Sequence, residues 1–242
     1  FDQQPPAVPT KDNNVGSYRR IINIPENWDG KQVIAHFGSV TSNIYLYVNG
    51  QFAGYAEDPK VAAEFDITPY LKKGENLIAF QTFRWCDGSW CEDQDFWRLS
   101  GVARDSYLYA RDSKVHVSNI KITPDLQNDY ADGVVQIYAE VKGQPIVEYK
   151  LLNHNGVEIV KSEANFKKRT NGTAQFVLKN VKKWSAEYPY LYTLVATVKD
   201  QKGNIVEVIP QKVGFRKIEI KNSQFLVNGQ PVHLLSDKRQ VS

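Results

Sequence analysis

The 242-residue sequence contains no methionine and only two cysteines, Cys86 and Cys91. It opens Phe1-Asp2-Gln3-Gln4, so the expectation is a processed or excised piece of a longer translation product. Two thiols fall far short of a disulfide framework, and Cys-x4-Cys without neighbouring Cys or His is a poor zinc pattern; two free thiols in a sheet or loop is the plainer reading, with pairing left open. No apolar run approaches the ~20 residues of a membrane helix, and the N-terminus lacks a charged segment followed by an apolar one. A soluble chain with no membrane partner is expected. Charge of one sign is also lacking: 30 Lys+Arg against 27 Asp+Glu leave +3, spread too evenly for a nucleic-acid footprint. There is no nucleophile elbow, phosphate loop or dinucleotide fingerprint, and His36, His116, His154 and His233 are scattered. Read from its residues alone, nothing makes the chain an enzyme.

What is present is ordinary globular composition, 42% hydrophobic and 24% charged, enough for one large or two smaller domains with cores of their own. Short β-branched and aromatic runs bounded by Gly, Asn, Asp and Pro dominate, and no long segment holds a 3.6-residue period. The chain therefore reads as all-β. Predicted strands cover 17–23, 32–38, 43–48, 77–84, 106–110 and 114–120. Asn49-Gly50 between two apolar runs is a type I′ hairpin signal, because both central residues need positive φ. The pattern restarts near residue 112, with strands expected at 134–141, 147–152, 157–163, 174–178, 191–198, 205–209 and 211–218. Seven short strands in about 100 residues suit an immunoglobulin-like sandwich, here without its cysteine pair. A further hairpin signal at 225–232 has too little chain after it to close a domain.

One stretch stands apart. Residues 84–101 hold Trp85, Trp90 and Trp97 together with Asp87, Glu92, Asp93 and Asp95. Aromatic faces beside carboxylates suit sugars, whose C–H faces stack while their hydroxyls donate to oxygen. The alternative is that Trp85 and Trp97 belong to a sandwich core and the acids to a solvated loop. Asp93 and Asp95 leave an extended segment on one face, roughly 6.6–6.8 Å apart at Cα, a separation reminiscent of glycosidase carboxylates. Adjacent acids on a loop rarely experience different environments, so one ligand and one structural acid is preferred over a catalytic dyad.

The same stretch, with Arg84-Trp85, Asp87-Gly88-Ser89, Glu92-Asp93-Gln94-Asp95, Trp97-Arg98, Ser100-Gly101 and Arg104-Asp105, resembles the amino-terminal region of glycoside hydrolase family 2 β-galactosidases. The likeness also takes in Phe37-Gly38-Ser39-Val40-Thr41-Ser42, Tyr47-Val48-Asn49-Gly50, Glu64-Phe65-Asp66, Trp184-Ser185 and Val213-Gly214-Phe215-Arg216. It implies a galactose-binding-like jelly-roll sandwich over 1–112 and an immunoglobulin-like β-sandwich over 113–219. Residues 220–242 would be the stub of a (β/α)8 barrel that carries two catalytic glutamates elsewhere. No catalytic residue is then expected in this chain.

By the same resemblance Asp95 touches the sugar and helps hold sodium, and Thr41 stands where relatives often have a sugar-contacting Asn; the third substrate-binding candidate, Trp90, comes from the aromatic composition of the stretch, as a stacking platform for a sugar ring. The Thr41 departure leaves sugar preference open. Sodium and magnesium are implied for the full-length parent, with no cofactor in this piece. The implied partners are a β-galactoside, the missing barrel and further copies of the parent, which would be a homo-oligomer in a bacterial cytoplasm or periplasm. The tail from His233 to Ser242 departs from the Gly-Val-Asn-Arg-His-Glu-like continuation of relatives, as a truncated, frame-disrupted or engineered fragment would. A stand-alone carbohydrate-binding module and a structural or interaction protein remain alternatives.

Overall fold

The computed structural model describes residues 6–58, 60–92 and 99–232. The chain divides into two compact units, Phe1–Ser113 and Lys114–Ser242.

The first unit contains β1 (Val15–Asn23), β2 (Gln32–Phe37), β3 (Val40–Thr41), β4 (Asn43–Val48), β5 (Gln51–Glu57), β6 (Ala63–Asp66), β7 (Glu75–Phe83), β8 (Gly101–Val102) and β9 (Ser106–Arg111). They form antiparallel sheets in the orders β1-β7-β4-β5 and β6-β2-β9, with a short β3-β8 ladder. Alternation explains the layering, since successive side chains leave a strand on opposite faces. Ile44, Leu46 and Val48 of β4 are fully buried while Tyr45 and Tyr47 are partly exposed, and Val33, Ala35 and Phe37 of β2 join the same core. This is the expected jelly-roll sandwich. Asn49 and Gly50 both have positive φ and connect β4 to β5, as the hairpin signal required.

The Asn49 side chain also ties that turn to its neighbours. Its amide donates to the Tyr70 carbonyl at 2.9 Å and to Asn76 Oδ1 at 2.8 Å, and its Oδ1 accepts from the Leu77 N–H at 3.0 Å. Asn76, itself buried, donates back to the carbonyls of Lys72 and Gly74. Every polar atom of these two amides that is out of water thus has a partner, which is the condition for burying them without a large penalty.

The second unit contains β10 (His116–Gln127), β11 (Asp132–Lys142), β12 (Ile146–Leu152), β13 (Glu158–Asn165), β14 (Asn171–Leu178), β15 (Tyr192–Lys199) and β16 (Ile205–Val213). Sheets β10-β11-β14 and β13-β12-β15-β16 pack around Val135, Ile137, Tyr149, Leu151, Leu194 and Phe215, giving an immunoglobulin-like sandwich. Two boundaries differ from the sequence expectation. The run 205–218 is not two strands: β16 passes through Pro210, opposite Val195, and ends at Val213. Likewise β10 runs beyond residue 120 and through Pro124. Both are edge strands, where a proline's missing N–H removes no ladder bond from the sheet interior.

A three-stranded meander follows, β17 (Ile218–Lys221), β18 (Gln224–Val227) and β19 (Gln230–Pro231). Asn228 holds it to the sandwich within the second unit by donating to the Trp184 carbonyl at 3.0 Å while accepting from the Lys217 N–H at 3.0 Å. No helix among the described residues is long and apolar enough to cross a membrane.

Candidate functional site

The corner between β3 and β4 buries three polar residues in succession, Thr41, Ser42 and Asn43. Buried polar groups need partners, and here the end of β7 supplies them. Ser42 Oγ donates to the Phe83 carbonyl at 3.0 Å, Asn43 Oδ1 accepts from the Phe83 N–H at 3.0 Å, and Thr82 Oγ1 donates to the Thr41 carbonyl at 3.0 Å. The Thr41–Ser42 peptide is cis.

The Trp-rich stretch leaves β7 at this corner. Asn13 clamps it by accepting from the Trp85 N–H at 2.9 Å and donating to the Trp85 carbonyl at 3.2 Å. Trp85 is 5% exposed, so it belongs to the buried layer and is not a sugar platform. Cys86 is buried as well, its sulfur 3.8 Å from the Ser42 carbonyl oxygen and its N–H donating to Ser89 Oγ at 3.1 Å. A single helical turn, α1 (Ser89–Glu92), then presents Trp90, whose indole N–H donates to the Ala7 carbonyl at 3.1 Å. Cys91 is exposed, and both cysteines are free thiols.

The stretch returns through exposed Leu99 to β8, where Gly101 pairs with Thr41 and the Ala103 N–H donates to the Ser39 carbonyl at 3.2 Å. Thr41 and Ser42 therefore stand at both feet of the Trp-rich stretch. Asp93, Asp95 and Trp97 lie outside the described residues, and with them the Asp93/Asp95 pair and the sodium ligand. Of the three substrate-binding candidates, Thr41 sits at the foot of the loop and Trp90 on its first turn.

Among the described residues, Glu57, Cys86 and Asp87 bring one donor atom each to within 4.8 Å of one another. Sodium and magnesium take oxygen ligands, and a thiol in the set does not suit them. This trio is not the site that the resemblance implies for those ions.

Two other features escaped the sequence reading. On the β6-β2-β9 sheet His36 stacks on Tyr107, centroids 4.4 Å apart, and its Nδ1 lies 2.9 Å from Glu64 Oε1, to which the Tyr109 hydroxyl also donates at 3.3 Å. Burial, reinforced by the Glu64 charge, pushes the Tyr109 phenol up. Neighbouring Asp66 is held below the usual carboxylate range: burial alone would raise it, but hydrogen bonds from Thr68 and Gln32 outweigh that effect. These residues come from three strands, and only the cross-strand register brings them together. A cleft of about 660 Å³, lined by Trp28, Lys31, Thr68, Lys72 and Lys73 among others, lies at the opposite end of the β1-β7 pair, where Asn23 faces Glu75.

Residues 2–112 match the profile described as the glycosyl hydrolases family 2 sugar binding domain, and residues 115–216 match a second profile of glycosyl hydrolases family 2. A β-galactosidase from Priestia megaterium is 40% identical over 242 residues, covering 96% of this chain and 23% of the relative. One from Clostridium acetobutylicum is 40% identical over 223 residues, covering 90% of this chain and 24% of the relative. The chain thus spans about a quarter of the length of these curated relatives. Among solved structures, a β-glycosidase from Bacteroides vulgatus is similar with a TM-score of 0.77 at 28% identity, over 90% of this chain and 28% of that one. A Bifidobacterium dentium β-glucuronidase shares the fold with a TM-score of 0.80 at 22% identity, over 89% of this chain and 42% of that one. A jelly roll whose corner holds both feet of a Trp- and Asp-rich stretch, followed by an immunoglobulin-like sandwich and matched in that order by two profiles of one family, leads to a single assignment: the chain belongs to glycosyl hydrolases family 2.

Proposed function

We propose that the chain is the non-catalytic N-terminal part of a retaining β-galactosidase, and that its first unit supplies one edge of the galactoside pocket while both units support the catalytic barrel. The observation that carries this reading is the placement of Thr41 and Ser42 at the two feet of the Trp-rich stretch. A corner so tightly hydrogen-bonded is a rigid base from which a loop can reach beyond its own sandwich, as precise ligand positioning requires. Relatives at 40% identity named β-galactosidase favour a galactoside over a glucuronide, since the β-glucuronidase likeness is one of fold.

In this reading Asp95 accepts hydrogen bonds from sugar hydroxyls and offers an oxygen to sodium, a hard cation that takes oxygen ligands. Thr41 and Trp90 border the same edge, and magnesium and the proton-transferring glutamates belong to the rest of the longer protein. That protein hydrolyses terminal β-galactosides in carbohydrate metabolism and assembles as a homo-oligomer. The chain alone offers only a pocket edge, whereas a sugar site normally buries most of its ligand among several groups.

The test is an assay of the purified chain with a nitrophenyl β-galactoside, beside calorimetry with galactose. No turnover and no saturable heat are expected. Turnover would overturn the non-catalytic assignment. A sub-millimolar dissociation constant, abolished by Trp90→Ala, would instead make the chain a carbohydrate-binding module.

A further inference from the structure

We propose that Glu57, Cys86 and Asp87 form a binding site for a thiophilic divalent cation of the zinc and cadmium class, seated at the foot of the Trp-rich stretch. The three donor atoms already lie within 4.8 Å of one another. Metal–sulfur and metal–oxygen bonds of about 2.3 and 2.0–2.2 Å put tetrahedral donors roughly 3.5 Å apart, so closing the site asks for a contraction of at most about 1.3 Å. The carboxylates can supply it, because Asp87 is exposed and Glu57 partly so, with Glu57 Oε1 exchanging its hydrogen bond from the Tyr55 hydroxyl for the ion, whereas the only donor that is buried is Cys86. Its side chain is buried at 5% exposure and its N–H is bonded to Ser89 Oγ, so the fold aims the sulfur before any ion arrives. A cluster with one preset soft donor and two adaptable hard ones is what separates such a site from a chance pair of surface acids.

The donor chemistry selects the ion. A thiol among the ligands disfavours sodium, magnesium and calcium and favours zinc or cadmium. Binding takes the sulfur as thiolate, so the Cys86 S–H proton passes to buffer as the metal–sulfur bond forms. Two carboxylates and one thiolate leave one tetrahedral position for water. The ion would join the end of β5 to the turn after β7, next to the Ser42 carbonyl, and so fasten the first foot of the loop that carries Asp95. The inference does not depend on the galactoside reading, because it concerns the chain's own donors and its readout is not turnover.

The experiment is a cadmium titration of the full chain in a Cys91→Ser background, following the ultraviolet thiolate-to-cadmium charge-transfer band. A band that saturates at one equivalent is expected, lost in Cys86→Ser and unaffected by excess magnesium. Asp87→Asn and Glu57→Gln should each weaken binding at least tenfold while leaving the melting temperature of the metal-free chain unchanged, which keeps the test informative if Cys86→Ser folds poorly. Saturating zinc should raise the melting temperature of the parent chain and not that of the carboxylate variants. Absence of the band, or an affinity in both carboxylate variants equal to that of the parent chain, would leave no three-donor site and overturn the proposal.

Discussion

Thr41 and Gly101 are backbone partners across the β3-β8 ladder. One closes the buried polar corner and the other is the point at which the Trp-rich stretch re-enters the fold. Gly101 has φ of +110°, a conformation that side-chain-bearing residues rarely adopt, and its missing Cβ would lie 3.6 Å from the Tyr18 hydroxyl. Space is therefore available, and the requirement for glycine is one of backbone conformation.

Gly101→Ala is accordingly expected to cost about 1–3 kcal/mol of backbone strain. Urea denaturation measures it. A variant as stable as the parent chain would show that the β3-β8 ladder can rearrange, and that Thr41 does not depend on Gly101 for its place.

Gly54 makes the opposite case, because its φ is ordinary and its surroundings are not. A Cβ there would come within 2.4 Å of Phe65 Cδ1, whose ring packs edge-on against Phe37 at 6.1 Å between centroids. Gly54→Ala should destabilise the first unit by about 1–3 kcal/mol through overpacking. Combining it with Phe65→Leu should cost less than the two single changes added together, since the smaller side chain vacates the contested space. Strict additivity would mean that the two residues do not meet.

The hairpin at Asn49-Gly50, the alternating strand cores and the domain order were legible in the sequence because each rests on a short-range pattern: turn chemistry, a period of two, or a restart of that period. The expected strands ended at residue 120 and broke at Pro210 where β10 and β16 continue, because whether a strand can carry a proline depends on its place at a sheet edge, which is decided by topology rather than by its own residues. For the same reason β6 went unseen. Its four residues contain two carboxylates, Glu64 and Asp66, and it earns its place through register with β2. The candidate site was legible as a composition, three tryptophans among acids. The burial of Trp85 and the approach of Glu57 to Cys86 were not, because they join positions far apart in the chain.

Asp132 is buried at the start of β11 and gathers Lys179 Nζ at 2.5 Å, Asn128 Nδ2 at 2.6 Å and the Asn180 N–H at 3.1 Å. The Lys179 hydrogen bond first, then those from Asn128 and Asn180, hold its carboxyl at about 2, below the ordinary value of 3.8. A depressed folded-state value means that the unfolded chain binds the proton first. The contribution is full above pH 3.8 and is lost as pH falls toward 2. Thermal melts of the parent chain and Asp132→Asn should differ most near neutral pH and converge between pH 4 and 2. A gap that stayed constant on acidification would rule out the charge as its origin.

Tyr149 lies at the centre of the second core, 1% exposed, and its hydroxyl makes no hydrogen bond among the described residues. Burial pushes the phenol up to about 12, the Arg169 charge pulling weakly the other way. Here the folded state holds its proton longer than the unfolded chain, so stability is full below pH 10 and falls as pH rises toward 12. Because the hydroxyl is desolvated without a partner, Tyr149→Phe should be neutral or stabilising by on the order of 1 kcal/mol at neutral pH. It should also flatten the alkaline loss of stability. A marked destabilisation would reveal a buried water or partner serving the hydroxyl.

Asp95 separates the functional reading from a structural one most cleanly. If it reaches a pocket completed by other parts of the longer protein, its carboxylate does little for the fold of this chain, and removing it costs only contacts that exist when a sugar is bound. Asp95→Ala should then lower turnover in the full-length protein by at least tenfold, while the melting temperature of the present chain moves by no more than a surface substitution would, within about 0.5 kcal/mol in stability. Thr41→Ala should behave differently, lowering both, because Thr41 is buried in the corner that holds both feet of the loop. Should Asp95→Ala melt this chain much earlier, Asp95 is a structural acid, and the sugar-contacting role would have to pass to another residue of the stretch.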